Sequence, residues 1–189
     1  MCIRDREAAA VLAANGIKVY IYSELMPTPM LSWAVRELKC QAGIVITASH
    51  NPAKYNGYKV YGEDGCQITL DVANTVIGKI NAVEMFGGAK VVDFEDGIKS
   101  GKIEYIKQDV IDKYLDKVAQ QGVHTDLVAD SGLKVVYTPL NGTGNKPVRA
   151  ILKKIGIKEV TVVPEQENPD GNFPTCPFPN PEIKEALAK

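Results

Sequence analysis

The chain has 189 residues, 45% of them apolar, which allows one large or two small domains with a buried core. Its 22 basic and 23 acidic side chains nearly cancel to a net charge of −1, so no broad basic surface is expected and no nucleic-acid partner. No apolar run approaches the roughly 20 residues of a membrane span, and the opening MCIRDREAAAVLAANG is a charged, alanine-rich helix pattern instead of a signal peptide; a cytoplasmic protein without a membrane partner is expected.

Residues 5–15 read as a helix closed by Asn15-Gly16, a C-cap pair. IKVYIY (17–22) is a strand. Pro29 suits a helix first turn, and LSWAVRELKC (31–40) carries Leu31, Ala34, Val35 and Leu38 on one helical face. AGIVITAS (42–49) is the next strand. Helix, strand, helix, strand at this spacing is the parallel βαβ pattern, although no strand precedes the first helix. GYKVY (57–61) and CQITL (66–70) bracket Gly62-Glu63-Asp64-Gly65 and read as a hairpin with a four-residue turn. Residues 71–84 form a helix. The glycine-rich 85–102 stretch is expected to be irregular with a short strand.

QDVIDKYLDKVAQQ (108–121) is an amphipathic helix with Val110, Ile111, Tyr114, Leu115 and Val118 as its stripe. The pattern loosens over 122–132, where a domain boundary is expected. A second α/β unit follows: a strand at 133–140, a loop and helix at 141–156, and a strand at 158–165. Residues 166–182 are rich in Pro, Asn and Gly and read as a long loop. A last helix opens at Pro181 and still runs at Lys189. The four cysteines, Cys2, Cys40, Cys66 and Cys176, make no CxxC pair and no zinc spacing, so reduced thiols are expected.

One junction stands out. Ile44, Val45 and Ile46 form a β-branched run that stops abruptly at Thr-Ala-Ser-His-Asn-Pro. Pro52 prevents a helix from continuing through His50 and Asn51. Ser49 and His50 therefore sit side by side beyond the carboxyl end of a strand, where an α/β sheet takes its ligands. A serine in such a place is commonly a turn former. The adjoining His50, the preceding Thr47 and the fixed Asn51-Pro52 turn favour a functional loop. A nucleophile elbow needs Gly-x-Ser-x-Gly, which these flanks lack, so an α/β hydrolase is not supported. Lys59 lies on the strand leaving the loop. Alternation puts it with Gly57 and Tyr61 on one side, from which it could stabilise phosphate charge or exchange a proton. The competing reading is a solvent-facing strand lysine. Lys54, at the loop tip, is expected to be solvated. NGTGNKP (141–147) lacks the P-loop spacing and reads as a turn and helix cap. His124 reads as a surface residue.

ITASHNPAKYNGYKVYGEDGCQI resembles the α-D-phosphohexomutases, the family of phosphoglucomutase and phosphomannomutase. PTPMLSWAVRELK, VVYTPLNGTGNKPV and PDGNFPTCPFPNPE resemble the bacterial branch, and the resemblance runs from about residue 7; MCIRDR does not match. It implies an α/β fold with a mixed, mainly parallel sheet flanked by helices. Residues 1–123 would be the catalytic-serine domain without its first strand. Residues 132–189 would be the first part of a second, similar α/β domain whose Asp-rich metal loop lies beyond Lys189. The resemblance further implies that Ser49 carries a phosphoryl group, donates it to a hexose monophosphate and takes the other phosphate back from the bisphosphate intermediate. His50, Lys59 and a Mg²⁺ touching the Ser49 phosphate would supply charge. Ser49 would then be the metal-binding position in this chain, and glucose 1,6-bisphosphate the intermediate and activator. The implied reaction is interconversion of glucose 1-phosphate and glucose 6-phosphate. A mannose-specific or dual-specificity enzyme is the alternative, and a non-catalytic binding or regulatory homologue is the alternative of another class. The phosphoglucosamine branch fits less well, because Asn56-Gly57-Tyr58 departs from its Asp-Asn-Gly-Ile pattern. The chain on its own, without the C-terminal domains the family carries, is expected to be inactive and to hold Mg²⁺ weakly.

Overall fold

A computed structural model of the chain describes residues 3–49, 51, 55–84, 86–176, 179–180, 182 and 184–187. In order it runs α1 (Ile3–Ala14), β1 (Val19–Ile21), α2 (Thr28–Glu37), β2 (Ala42–Thr47), β3 (Gly57–Gly62), α3 (Leu70–Asn81) and α4 (Phe94–Lys99). It continues with β4 (Ile103–Tyr105), α5 (Gln108–Ala119), α6 (Thr125–Asp130), β5 (Lys134–Tyr137), α7 (Asn145–Lys154), β6 (Glu159–Val162) and α8 (Pro164–Glu167), then a 3₁₀ turn at Lys184–Leu187. The chain divides into two compact units. One comprises Met1–Leu25, Leu31–Ile46 and Lys59–Gln108; the other comprises Met26–Met30, Thr47–Tyr58 and Asp109–Lys189. Among the described residues no helix is long and apolar enough to cross a membrane.

In the first unit, the alanine run of α1 gives both high helix propensity and a thin face that packs closely. Ala9 and Ala13 meet Phe94 and Ile103 in a small core, with Val19, Ile21, Val92 and Ile98 against it. The C-cap pair performs as expected. Gly16 takes φ 81°, Ile17 N–H reaches back to the Leu12 carbonyl, and the Asn15 amide donates to the Val11 carbonyl at 2.8 Å. β1 pairs in parallel with β4, Val19 opposite Ile103 and Ile21 opposite Tyr105. β2 pairs with β3 in a separate sheet. The βαβ reading of β1–α2–β2 therefore needs correction: the two strands are not sheet neighbours among the described residues. Strands adjacent in sequence neighbour each other only about two-thirds of the time, and here the chain reaches β4 to complete the first sheet.

Other expectations shift locally. α2 starts at Thr28, three residues before the expected run, with Pro29 in its first turn. This adds the fully buried Met30 to the buried Ala34 and Val35. The Gly62–Gly65 turn forms, closed by Gly62 N–H to the Cys66 carbonyl at 2.9 Å. Residues 66–70 contribute the isolated Tyr61–Gln67 bridge and no strand, because α3 already starts at Leu70. The stretch expected to be irregular at 85–102 contains α4, started by Asp93, whose side chain accepts the Asp96 N–H at 3.1 Å. The strand follows it at 103–105. On α3 the apolar Leu70, Ile77 and Ile80 are exposed.

The second unit holds the βαβ unit that the pattern predicts. β5 and β6 are parallel, in register from Lys134–Glu159 to Tyr137–Val162, with α7 between them in sequence. α5 buries Val110 and Leu115 of its stripe, and its Asp116 meets Lys154 of α7 at 2.6 Å. The loosened segment before β5 is helical at α6. Of the expected final helix, Pro181, Ile183, Ala188 and Lys189 lie outside the described residues, and Lys184–Leu187 forms a 3₁₀ turn. Cys40, Cys66 and Cys176 form no disulfide, and burial pushes the Cys40 thiol up.

Candidate active site

Ser49 lies two residues past the end of β2, exposed, with φ 56°. A left-handed backbone at a serine is an uncommon conformation that the surrounding chain must hold in place. Two bonds do so. Ser49 N–H donates to Thr47 Oγ1 at 3.0 Å, an ST turn. Asn51 N–H donates to the Ala48 carbonyl at 3.0 Å. The Thr47 hydroxyl, at the end of β2, thus shapes the loop that presents Ser49.

Gly57, the first residue of β3, fits against the same strand end. A Cβ there would come within 2.7 Å of the Thr47 carbonyl oxygen. That contact is with backbone, so a side chain would have to displace the end of β2. Gly57→Ala is expected to lower the stability of the chain by about 1–3 kcal/mol, the usual range for overpacking. Urea denaturation measures this, and an unchanged midpoint would contradict the close approach.

Lys59 is the third residue of β3, half-buried, and belongs to the first unit, whereas Ser49 belongs to the second. Tyr55 and Tyr58 flank the start of β3 with exposed rings. His50 and Lys54 lie outside the described residues. His124 is exposed at the start of α6 and its side chain makes no capping bond, in keeping with a surface residue. Among the described residues no group of three or more His, Cys, Asp or Glu is arranged to hold a metal ion. The Ser49 oxygen alone is far short of the roughly six oxygen ligands Mg²⁺ takes, so these residues do not by themselves form a Mg²⁺ site.

The NGTGNKP segment does more than cap a helix. Leu140 and Asn141 both take left-handed backbones, with φ 50° and 54°, and Gly144 starts α7 without a side-chain cap bond. Asn141 and Gln166 are buried polar residues that sequence reading alone missed. Their bonds join positions more than twenty residues apart, for which no local pattern exists. Burial also pushes the Tyr137 phenol up, so that this ring at the end of β5 stays neutral.

Two family profiles match the chain. Residues 5–86 match "Phosphoglucomutase/phosphomannomutase, alpha/beta/alpha domain I" and residues 112–189 match the corresponding domain II. Among curated relatives, a phosphoribomutase of Saccharomyces cerevisiae is 38% identical over 96% of this chain and 31% of its own length. A phosphoglucomutase of Staphylococcus saprophyticus is 38% identical over 97% of this chain and 33% of its own. A putative phosphomannomutase of Thermus thermophilus, solved by crystallography, superposes with TM-score 0.75 at 26% identity, over 94% of this chain and 36% of that one. The chain thus spans about a third of the length of the relatives it matches. With both profiles in chain order and Ser49 inside the first, the chain belongs to the α-D-phosphohexomutase family.

Proposed function

We propose that the chain supplies the phosphoserine domain and the start of the next domain of a longer phosphohexomutase that interconverts glucose 1-phosphate and glucose 6-phosphate. Its two domains are residues 1–123 and 132–189, with α6 between them. The observation that carries this reading is Ser49 itself: an exposed residue on a strained turn beyond a strand end, inside a segment matched to domain I.

The chemistry follows from that placement. A phosphoryl group on Ser49 Oγ passes to a free hydroxyl of the bound hexose monophosphate. The Oγ–P bond breaks, a sugar O–P bond forms, and the hydroxyl proton is exchanged for one taken up by Ser49. The hexose bisphosphate turns over, and Ser49 Oγ removes the other phosphoryl group, returning the proton. Such transfer asks the protein for position and charge stabilisation more than for covalent chemistry. The place of Ser49 beyond the strand end gives position. Lys59 and His50 supply positive charge as it is needed by the moving phosphoryl group. A phosphorylated Ser49 would offer one oxygen ligand to a Mg²⁺, and a metal held there would neutralise further charge.

The curated relatives named above act, by their names, on glucose and on ribose phosphates, so the sugar is the variable to test. The full-length enzyme is expected to convert glucose 1-phosphate to glucose 6-phosphate in a coupled assay, with the rate raised by traces of glucose 1,6-bisphosphate. Conversion of ribose 1-phosphate alone would move the substrate to the pentose class. Conversion of mannose 1-phosphate alone would favour the mannose-specific alternative, and no turnover of any of these three sugar phosphates would favour a non-catalytic homologue.

A further inference from the structure

Asn141 joins the turn after β5 to the segment after β6. Its Nδ2 donates to the carbonyl oxygens of Asn168, at 2.8 Å, and of Glu165, at 3.3 Å. Its backbone N–H donates to the Gln166 carbonyl at 2.8 Å, and its own carbonyl accepts from Asp170 N–H at 3.1 Å. It does this from a left-handed backbone, a region that Asn tolerates better than most residues, while only 6% exposed. Carbonyl oxygens only accept, so only the NH₂ end of the amide can face Glu165 and Asn168. Beside it, Thr138 Oγ1 donates to Gln166 Oε1 at 2.6 Å, and Gln166 is 2% exposed. Arg149 holds Glu167 at 2.5 Å. All these bonds tie residues 165–170 down beyond the carboxyl ends of the parallel strands β5 and β6, the edge at which α/β sheets take ligands.

We propose that Asn141 is a positioning residue for phosphoryl transfer: by gripping the Glu165 and Asn168 carbonyls it fixes where residues 164–176 cross the carboxyl edge of β5 and β6. This rests on the phosphohexomutase reading. Its mechanical half, the grip on the loop, follows from hydrogen bonds within one compact unit. Beyond α8 the segment has no regular structure, so side-chain bonds of this kind, with those of Thr138 and Arg149, help set its path.

Two substitutions in the full-length enzyme separate a hydrogen-bonding grip from simple space filling. Asn141→Asp keeps the size but turns a carboxylate oxygen toward two carbonyl oxygens. Asn141→Gly keeps the left-handed backbone and its two bonds but removes the amide. Amide hydrogen exchange, read by mass spectrometry, reports on residues 164–176 and on β5 and β6; kcat and KM with glucose 1-phosphate report on the reaction. Both variants are expected to exchange about tenfold faster in 164–176, with β5 and β6 unchanged, since local opening of a loop is separable from opening of its sheet. They are expected to lower kcat about tenfold while KM moves little, as misplacement remote from the chemistry does, with Asn141→Asp the more affected. Asn141→Asp behaving like wild type while Asn141→Gly loosens would indicate space filling and overturn the proposal. A loosened loop with wild-type kcat would overturn it as well. A wild-type enzyme without mutase activity would instead strike the functional reading, and this proposal with it.

Discussion

Ser49→Ala in the full-length enzyme is expected to abolish isomerisation while the fold stays intact. Removing a covalent nucleophile costs on the order of 10⁶ in kcat, which would place the variant below detection. The stability change should be small. Alanine carries the same Cβ as serine, so the strain at φ 56° is unchanged, and it keeps both backbone donors that hold the turn, the Ser49 N–H and the Asn51 N–H. An exposed substitution of this kind stays within about 0.5 kcal/mol. Turnover near the wild-type rate would mean that the phosphoryl carrier is elsewhere. A collapsed fold would mean that the serine has a structural role that the two backbone bonds do not account for.

Lys59→Met is expected to slow the reaction by about 10²–10³, the usual loss when one charge-stabilising donor is removed from a transition state. Methionine preserves much of the apolar stem of a half-buried lysine, so packing on β3 should survive. The split between kcat and KM identifies the role. A charge needed most on the moving phosphoryl group lowers kcat with KM little changed, whereas an anchor for the ground-state phosphate raises KM at constant kcat. The second pattern would reassign Lys59 to substrate binding.

Local chemistry made much of this legible in the sequence. The β-branched 44–46 run, cut off by a polar Thr-Ala-Ser-His-Asn-Pro turn, located both β2 and the strained serine beyond it. Asn15-Gly16 located the end of α1, and the strand pattern at 133–140 with the helix after it located the β5–α7–β6 unit. What stayed hidden depends on contacts distant in sequence. β4 is three residues long and gains its identity from pairing with β1, more than eighty residues earlier, so no window of sequence contains both. α4 had a readable start in Asp93 followed by Glu95 and Asp96, masked by the glycines before it. The Asn141–Gln166 cluster left only the trace of an Asn in a turn, because its partners are carbonyl groups, which every residue has.

Phosphopeptide mass spectrometry of the full-length enzyme tests the central claim most directly. Trypsin releases residues 40–54, CQAGIVITASHNPAK, in which Ser49 is the single serine and Thr47 the single threonine. Enzyme incubated with glucose 1,6-bisphosphate is predicted to yield this peptide with one added phosphate, located on Ser49 by fragmentation and lost on incubation with excess glucose 1-phosphate. An active enzyme whose peptide stays unmodified, or carries a phosphate on Thr47 that does not exchange with substrate, would contradict the assignment of Ser49 as the phosphoryl carrier.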